Sequence, residues 1–533
     1  GSIAWEFKLN ILMWSMPKIG SIIYPIHENI PTSWSEGPEV VRQDDRPNII
    51  LILADDMGYN DISSHNGGAA DGSLKTIHID ALANSGILFS RGYAANATCA
   101  PSRASIMTGR YPTGFGYEFT PVPAPGRLIL SWIAEEDDSE LKGRINKELS
   151  RNLPPFMEQG MPTEQITIAE VLQDAGYYTA HIGKWHLGHA NGMDPLSQGF
   201  EDSLSLVGPL YAPEDHPDIV NAKFDTRIDK MIWSLGQYSA RFNEGDLFAP
   251  DKYVTDYYTD EALKVIENNK NRPFFLYLSH WAVHNPLQAL QSDVEQMSHM
   301  SGHNLQVYAG MIAALDRSVG KVVAKLKDLE IYGKTLIIFT SDNGGANYIE
   351  LEDINKPYRG WKISFFEGGI RVPYIVSWPD EINSGQKSDS PVHHFDIFST
   401  IAAAAKVTPS NEKEIDGVNL LPFIKKEKLS QPHKTLFWRS GNHQSVLHEN
   451  WKYIISKKEN IRWLFDTSTD PLEKNNIIDV HPEETNLIEG LLSKFNSEQK
   501  EPLFPSAYEV PILIDKYDGE QYVEGDEYIY WSN

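Results

Sequence analysis

The chain has 533 residues, with 47 basic against 73 acidic side chains and a net charge of −26. This excess of negative charge repels nucleic acids and anionic membranes at long range, and we expect neither to be a partner. Hydrophobic residues make up 41% of the chain, and no apolar run reaches the roughly 18 residues of a membrane span.

The N-terminal residues 1–45 are predicted to form an extension before the first buried strand. Residues 10–26 are moderately apolar, but Pro17 and Lys18 interrupt them and no small-residue cleavage pattern follows. The segment resembles neither a membrane anchor nor an intact signal peptide. We expect a native export signal to have been removed, which predicts a periplasmic or secreted protein. The sequence leaves the oligomeric state open.

Four buried strands are predicted, and each ends in polar residues. Continuous apolar runs, typical of parallel strands buried on both faces, span residues 48–54, 177–182, 273–278 and 335–340. The polar residues just beyond their ends are Asp55 and Asp56, Lys184 and His186, His280 and His284, and Asp342 and Asn343.

Helical patterns lie between these strands, at residues 167–175, 256–269 and 308–329. Alternating strands and helices predict an α/β fold with a large, doubly wound, mostly parallel sheet flanked by helices. Ligands of such sheets bind beyond the carboxyl ends of the strands. We therefore expect the polar residues at the four strand ends to be neighbours.

The pattern changes near residue 430, where short strands replace the alternation. Strands are predicted at residues 435–439, 445–447, 451–455 and 463–466, followed by a helix at 482–497. This order predicts a small antiparallel sheet packed by one helix. The predicted division is a catalytic α/β domain at 46–430 and a C-terminal α+β subdomain at 431–533.

The only cysteine, Cys99, begins the string CAPSR. A lone cysteine is normally a buried structural thiol, but average usage places Pro, Ser and Arg at these offsets by chance only about once in 10⁴. Residues 102–107 are predicted to be helical, which puts Cys99 at a helix N-terminus, where an anion is favoured. Residues 96–98 form a glycosylation sequon, and because a glycan there would obstruct Cys99, we expect a bacterial source.

The four residues Asp55, Asp56, Asp342 and Asn343 supply only oxygen donors, at the ends of two strands. Acids after a strand are usually turn or cap residues. Two such clusters together suit a hard divalent cation, Ca²⁺ in preference to Mg²⁺.

These motifs resemble those of the type I formylglycine-dependent sulfatases of the alkaline phosphatase superfamily. The strings that carry the resemblance, in the order of the family, are RPNIILILADDMG, CAPSRASIMTGR, GKWHLG, TSDNGG, RGWKISFFEGGIRVP and LFDTSTDPLEKNN. They span residues 47 to about 500. The resemblance implies an alkaline phosphatase-like fold, a metal held by the four oxygen donors and the modified Cys99, and a bacterial carbohydrate sulfatase.

By this resemblance, Cys99 is oxidised to formylglycine by a formylglycine-generating enzyme or an anaerobic sulfatase-maturating enzyme. The hydrated aldehyde then attacks sulfur. Arg103 would stabilise that hydrate, Lys184 would bind the sulfate, and His186 would take the proton that drives sulfate release.

The leaving-group side of the site is implied in the same way. His284 would protonate the leaving alcohol, and Lys362 would contact the sulfate and the bridging oxygen. The match at His284 depends mainly on its position after a strand, so His280, four residues earlier, competes with it. Lys184, His284 and Lys362 are thus the predicted substrate-binding residues.

Segments that depart from the family strings, at residues 113–165, 209–251 and 346–357, are expected to set specificity. Aromatic side chains there could stack on sugar rings, although aromatics in long insertions more often pack the insertion itself. The candidates for substrate contact are Tyr211, His216 and Trp233, together with Tyr117, Phe119, Trp132 and Tyr238.

The predicted substrate is a sulfated poly- or oligosaccharide, with a marine polysaccharide such as carrageenan as one candidate. A glycosaminoglycan or a small aryl sulfate stays open. The first alternative is a phosphate or phosphonate monoester hydrolase of the same superfamily. The second is a catalytically inactive binder of sulfated glycans, against which the complete set of catalytic residues argues.

Overall fold

The computed structural model describes residues 25–40, 44–65, 67–68, 72–123, 126–127, 140–234, 236–410 and 414–533. Its centre is a mixed sheet with ten strands among these residues. In spatial order the strands are Gln386–Ser388, Ile87–Phe89, Tyr374–Ser377, Thr335–Ser341, Asn48–Ala54, Phe274–Ser279, Tyr178–Gly183, Asp202–Leu206, Ala240–Phe242 and Leu247–Phe248.

The middle of this sheet is parallel. Asn48–Ala54 runs between Thr335–Ser341 and Phe274–Ser279 and is parallel to both. Tyr178–Gly183 continues the parallel set beside Phe274–Ser279, and antiparallel pairing begins only at Tyr374–Ser377 on one side and Ala240–Phe242 on the other. The four predicted strands, and the mostly parallel sheet that they imply, are confirmed.

Helices cover both faces of the sheet because its central strands are apolar on both sides. Ile50 and Ile52 pack into one core cluster, whereas Ile49, Leu51 and Leu53 pack into another on the opposite face. All five are fully buried, and complete burial of such a side chain contributes about 1.5–3 kcal/mol. This alternation is the physical reason for the doubly wound arrangement.

The helices of the first face are Ile77–Asn84, Val254–Asn269 and His303–Asp328, and those of the second are Cys99–Thr108, Ile168–Asp174 and Phe395–Ala404. Shorter helices are Lys147–Asn152, Arg227–Ser234, Gln291–Gln296, Glu367–Ile370 and Leu421–Ile424. Two small strand pairs, Ile219–Ala222 with Leu287–Leu290 and Gly92–Tyr93 with Val392–His393, lie beside the main sheet. None of the helices in the described ranges is both long and apolar enough to span a bilayer.

The C-terminal region contains the predicted antiparallel sheet. Its strands are Thr435–Ser440, His443–His448, Trp451–Ser456 and Ile461–Asp466, paired in sequence order. The helix Pro482–Glu498 packs on it through Ile488, Leu492 and Phe495. This part of the fold prediction is also confirmed.

A three-stranded sheet was not predicted. Its strands are Tyr528–Ser532, Tyr508–Leu513 and Arg144–Ile145, in that order. The last strand comes from the insertion at 113–165, so the C-terminal chain pairs with a segment of the predicted catalytic domain. The division at residue 430 remains a prediction.

Candidate active site

The polar residues beyond the four central strands meet at one edge of the sheet. Because these strands are parallel neighbours, their carboxyl ends lie side by side. Asp55, Asp56 and Asp342 are buried there, together with Lys184 and Lys362. Such a concentration of buried charge requires close pairing.

Cys99 begins the helix Cys99–Thr108, three residues earlier than the sequence predicts, and it is 4% exposed. Its Sγ lies 3.6 Å from Asp55 Oδ1 and 3.8 Å from Asp56 Oδ1. Burial, followed by the negative charge of Asp342, raises the pKa of the thiol well above its usual range. Since the thiolate is the nucleophilic form of cysteine, this environment disfavours the nucleophilic form of unmodified Cys99.

Arg103, one turn further along this helix, connects the ends of all four strands and is fully buried. Its Nε donates to Asp342 Oδ2 at 2.9 Å, and one terminal nitrogen lies 3.1 Å from Asp55 Oδ2. The other terminal nitrogen donates to the Lys184 carbonyl at 2.9 Å and to Ser279 Oγ at 2.5 Å. A fork of fixed donors suits this role, and lysine could not replace it.

Asp55 pairs with Lys184, whose Nζ lies 2.7 Å from Asp55 Oδ2. Burial and the neighbouring Asp342 nevertheless raise the pKa of Asp55 to about 7, against the opposing effect of Lys184 and Arg103. Burial also acts to raise the pKa of Asp342, but Arg103 outweighs it and the net shift is downward. An additional cation beside Asp55 would favour its ionised form.

Asp56 has a left-handed backbone, with φ of 59°, which is uncommon for a residue other than glycine. Lys362 Nζ lies 2.7 Å from each of its carboxylate oxygens, and Asn343 Nδ2 donates to Oδ1 at 2.8 Å. Burial acts to raise the pKa of Asp56, but Lys362 and His284 outweigh it and the pKa falls below its usual range. Asp56 is therefore ionised.

His284, not His280, lies at this site. Its Nε2 is 3.5 Å from Asp56 Oδ2, and its Nδ1 donates to the Asn285 carbonyl at 2.6 Å. Burial lowers the pKa of His284 to about 3. His280 Nε2 instead bonds Ser318 Oγ at 2.9 Å on the helix His303–Asp328.

The side chains here fit a divalent metal. Asp55, Asp56, Cys99 and His284 each offer one donor atom, and these atoms lie within 4.8 Å of one another. Asn343 Oδ1 is buried and has no hydrogen-bond partner among the described residues. Buried polar atoms are almost always paired, and an ion at this position would supply the missing partner, with oxygen donors that suit Ca²⁺.

The fourth predicted metal ligand, Asp342, is held by Arg103 through Oδ2 and accepts the Asp56 backbone N–H on Oδ1 at 3.2 Å. Paired with Arg103, Lys184 and Lys362, the three carboxylates of the site are formally neutralised. A bound divalent cation would therefore give the pocket a net positive charge. This local charge, rather than the net charge of −26, governs attraction of an anion at short range.

His186 follows Lys184 with its backbone in the left-handed region, at φ of 65°. Its Nδ1 is buried and lacks a hydrogen-bond partner within the described part of the chain. Burial, followed by the charge of Lys184, lowers the pKa of His186 well below its usual range. The neutral imidazole can accept a proton, and the role predicted for it remains a prediction.

The structure corrects the expectation that Tyr211 contacts substrate. The residue is 0% exposed, and its ring stacks on Tyr253 with centroids 5.5 Å apart. Its hydroxyl lies 2.8 Å from the carbonyl oxygens of both Trp281 and His284. Tyr211 therefore fixes the loop that carries His284, because its ring is already packed inside the insertion.

The other two candidates stay predictions. His216 is exposed and its Nδ1 accepts the Asp218 backbone N–H at 3.2 Å. Trp233 is partly exposed, with Lys223 Nζ 4.5 Å from the centroid of its ring. Of the further aromatics, Tyr117 and Phe119 are buried and Tyr238 is partly exposed, whereas Trp132 lies outside the described residues.

Two aromatic residues of the site were not predicted from the sequence. Trp281 stacks on His284 with centroids 4.0 Å apart, and Lys184 Nζ lies 4.7 Å from the centroid of its indole ring. Tyr348 places its hydroxyl 3.1 Å from Asp56 Oδ2. Trp281 lies between the two competing histidines in sequence, and this position could have indicated that it belongs to the site. No motif around Tyr348 indicates that it reaches the site.

Asn96 of the glycosylation sequon is 1% exposed. Its Nδ2 donates to the Arg439 carbonyl at 3.3 Å, and its Oδ1 accepts the Thr98 backbone N–H at 3.2 Å. The Asn96 side chain is thus packed inside the fold, and the bacterial source expected from the position of Cys99 remains a prediction.

Comparisons with known proteins identify the family. A family model described as Sulfatase matches residues 47–407. The N-acetylgalactosamine-6-sulfatase of Homo sapiens is 31% identical over 399 residues, which cover 74% of this chain and 69% of that protein. The chain belongs to the sulfatase family. A second model, described as N-sulphoglucosamine sulphohydrolase, C-terminal, matches residues 360–501 of this sulfatase.

Bacterial relatives and solved structures extend the likeness. An N-acetylgalactosamine-6-O-sulfatase of Bacteroides thetaiotaomicron is 28% identical and covers 84% of this chain and 92% of its own length. The crystal structure of Ps i-CgsB is 29% identical with a TM-score of 0.71, covering 86% of this chain and 94% of that chain. A phosphonate monoester hydrolase of Agrobacterium radiobacter, at 19% identity and a TM-score of 0.59, shares the fold.

Proposed function

We propose that this sulfatase removes sulfate from a sulfated poly- or oligosaccharide, using a formylglycine made from Cys99 at a Ca²⁺ site. The observation that carries the proposal is the meeting of Cys99 with Asp55, Asp56 and His284 within 4.8 Å. Around them lie the cations of a pocket suited to an anion.

Maturation of Cys99 supplies the nucleophile that the protonated thiol lacks. Cys99 lies at the N-terminus of its helix, where the backbone N–H groups and the dipole favour developing negative charge. Arg103, on the same helix, is neutralised by Asp342 and Asp55 and keeps both carboxylates in place. Its proposed role is to stabilise the nucleophile and to align the strand ends around it.

Asp55, Asp56 and Asn343 are the proposed metal ligands, with Asp342 and the modified Cys99 completing the set. When bound, Ca²⁺, with Mg²⁺ as the alternative, supplies positive charge to the sulfate oxygens and to the nucleophile. Lys184 lies on the Asp55 side of the pocket and Lys362 on the Asp56 side. We infer that the two lysines bind the sulfate from opposite sides.

His284 is the proposed acid for the leaving alcohol. Burial outweighs the nearby Asp56 carboxylate and lowers the pKa of His284 to about 3, so it needs a further anion before it holds a proton at neutral pH. A sulfate ester beside Nε2 provides such a charge and raises the pKa. His186, with its unpartnered Nδ1, is the proposed acceptor of the proton that accompanies sulfate release.

The substrate class is inferred from the relatives. Ps i-CgsB has been crystallised with k-i-k-neocarrahexaose, and that structure is 28% identical to this chain with a TM-score of 0.70. Two other relatives are named for action at position 6 of N-acetylgalactosamine. A sulfated carbohydrate is therefore the proposed class, with carrageenan oligosaccharides as the first compounds to test. A periplasmic or secreted location and a formylglycine-forming partner complete the proposal.

The test is co-production with a formylglycine-generating enzyme, followed by intact-mass analysis of the peptide that contains residue 99. Desulfation is then measured on carrageenan oligosaccharides, on 6-sulfated N-acetylgalactosamine, on nitrophenyl sulfate and on nitrophenyl phosphate. Cys99→Ala is the matched control, because it removes the nucleophile and adds no new group. We expect sulfate release to require the matured residue.

The alternatives predict other results. A phosphate or phosphonate monoester hydrolase would turn over nitrophenyl phosphate in preference to every sulfate ester. An inactive binder would retain sulfated oligosaccharides without releasing sulfate even after complete maturation. Either outcome would contradict the proposed function.

A further inference from the structure

Tyr348 lies in the insertion at 346–357, outside the family strings, yet its side chain reaches the active site. It is 4% exposed and belongs to the short helix Asn347–Ile349. Its hydroxyl is 3.1 Å from Asp56 Oδ2 and 3.3 Å from Lys362 Nζ.

The backbone around Tyr348 is fixed on both sides. Thr226 Oγ1 donates to the Tyr348 carbonyl at 3.2 Å. The Asn355 side chain bonds both the N–H and the carbonyl of Gly345, at 2.8 and 2.9 Å. The phenol is therefore held in a defined position by neighbours that do not take part in the chemistry.

The direction of the two hydrogen bonds follows from the groups involved. An ionised carboxylate only accepts, and an ammonium only donates. The Tyr348 hydroxyl therefore donates a hydrogen bond to Asp56 Oδ2 and accepts one from Lys362 Nζ. A tyrosine phenol, with an ordinary pKa of about 10, carries its proton at neutral pH.

The site has two halves, and Tyr348 belongs to one of them. Asp55 contacts Lys184 and Arg103. Asp56 contacts Lys362, His284 and Tyr348. Since His284 is the proposed acid for the leaving alcohol, the half around Asp56 is the leaving-group side.

We propose that Tyr348 is a positioning residue that holds the Lys362 ammonium toward the bridging oxygen of the sulfate ester. The inference rests on the proposed function and deepens it. Lys362 has a flexible four-carbon stem. A contact with Asp56 alone would leave its ammonium free to change direction. The phenol adds a second anchor from a separately fixed segment, which restricts the direction of the ammonium.

The test compares leaving groups. Tyr348→Phe keeps the ring and removes only the hydroxyl. Because the bridging oxygen of a sugar sulfate needs stabilisation far more than that of nitrophenyl sulfate, we expect kcat on a sulfated oligosaccharide to fall about 10- to 100-fold, as for loss of a hydrogen bond to a charged group. On nitrophenyl sulfate we expect less than about a 3-fold fall, with KM for both substrates unchanged within about 3-fold.

The matched control is Tyr453→Phe, which removes a buried tyrosine hydroxyl that donates to Glu489 at 2.7 Å in the C-terminal sheet. It should lower kcat for neither substrate. Because the Tyr348 hydroxyl also contacts the proposed metal ligand Asp56, Ca²⁺ affinity is measured by calorimetry and kcat is compared at saturating Ca²⁺, so that a change in metal affinity does not enter kcat.

Equal losses on both leaving groups, or no loss on the oligosaccharide, would overturn the inference and leave the proposed function intact. An unmutated, fully matured protein that releases no sulfate from any ester would instead overturn the proposed function. If the thermal midpoint shows that Tyr348→Phe is unfolded, Thr226→Val carries the test. It loosens the same segment, and we expect the same dependence on leaving group with a smaller loss; a uniform loss or none would contradict the inference.

Discussion

Two buried ionic clusters in the described part of the chain can be compared, one at the end of the main sheet and one beneath the C-terminal sheet. The second joins Lys452 to Glu367 at 2.6 Å and to Glu473 at 3.4 Å. Arg371 lies 2.9 Å from Glu367, and the Tyr93 hydroxyl donates to the same carboxylate at 3.0 Å. Lys452, Glu367 and Glu473 are fully buried, and the acids of the active site are at most 4% exposed.

The two clusters differ in their position in the fold and in the groups that surround their buried polar atoms. In the C-terminal cluster Glu473 Oε2 accepts the Glu367 backbone N–H at 2.7 Å. Glu473 Oε1 has no hydrogen-bond partner among the described residues, but it lies 3.4 Å from Lys452 Nζ. In the active site Asn343 Oδ1 and His186 Nδ1 have no partner in the ranges that the structure describes. Neither buried charge nor a single unpartnered atom therefore marks a functional site, whereas both together with donor atoms that converge within 4.8 Å at the strand ends do.

Lys452→Met breaks the C-terminal cluster and carries the largest expected effect. Removing one member of a buried ion pair leaves an uncompensated charge, so the free energy of unfolding should fall by about 3–5 kcal/mol. The kcat per folded molecule should change less than about 2-fold, since no reacting group is touched. Urea unfolding and rates corrected for the folded fraction measure both quantities. A large fall in kcat would mean that the cluster also governs catalysis.

Lys184→Met is the matched change in the active site, since Lys184 is also buried and paired with a carboxylate. Its loss should lower kcat on sulfate esters about 10²- to 10³-fold, as for one oxyanion donor. The unfolding free energy should fall less than in Lys452→Met, because Arg103 still pairs with Asp55. Steady-state kinetics and the same urea assay compare the two variants. Greater loss of stability than of activity would contradict the contrast between the clusters.

Glu473→Gln tests the C-terminal cluster by pH. Burial raises the pKa of Glu473 from 4.5 to about 7, so between these values the folded state binds more protons than the unfolded state. The stability from this group is therefore present at low pH and is lost as the pH rises through 7. Relative to Glu473→Gln, the unmutated protein should lose roughly 2 kcal/mol between pH 5 and 8. Urea unfolding at both pH values measures this difference, and parallel curves would contradict it.

The central strands and the positions of their polar ends could be predicted because both depend on local pattern. The apolar run at residues 48–54 becomes the strand Asn48–Ala54, and its bounding acids must then lie at the sheet edge. Cys99 and Arg103 were found for a similar reason, since one short string fixes both on a single helix. Strand order then brings Asp342 and His284 to the same place.

The parts that could not be predicted depend on contacts between distant segments. Tyr348 reaches Asp56 across 292 positions of sequence, and Tyr211 reaches the His284 loop across 73. An aromatic residue in an insertion carries no local sign of whether it faces a ligand or packs inward. For Tyr211 this ambiguity led to a wrong prediction. The ion pairs of Lys452 could not be predicted either, because they also join residues that are distant in sequence.

The burial of Asn96 bears on the choice of a production host. In a eukaryotic secretory pathway, oligosaccharide is added to Asn-X-Thr sequons of nascent chains. A glycan attached there before folding would occupy the place where Asn96 meets the Arg439 carbonyl, and the C-terminal sheet could not close over the helix of Cys99. Bacterial expression, or the substitution Asn96→Gln, avoids this glycosylation.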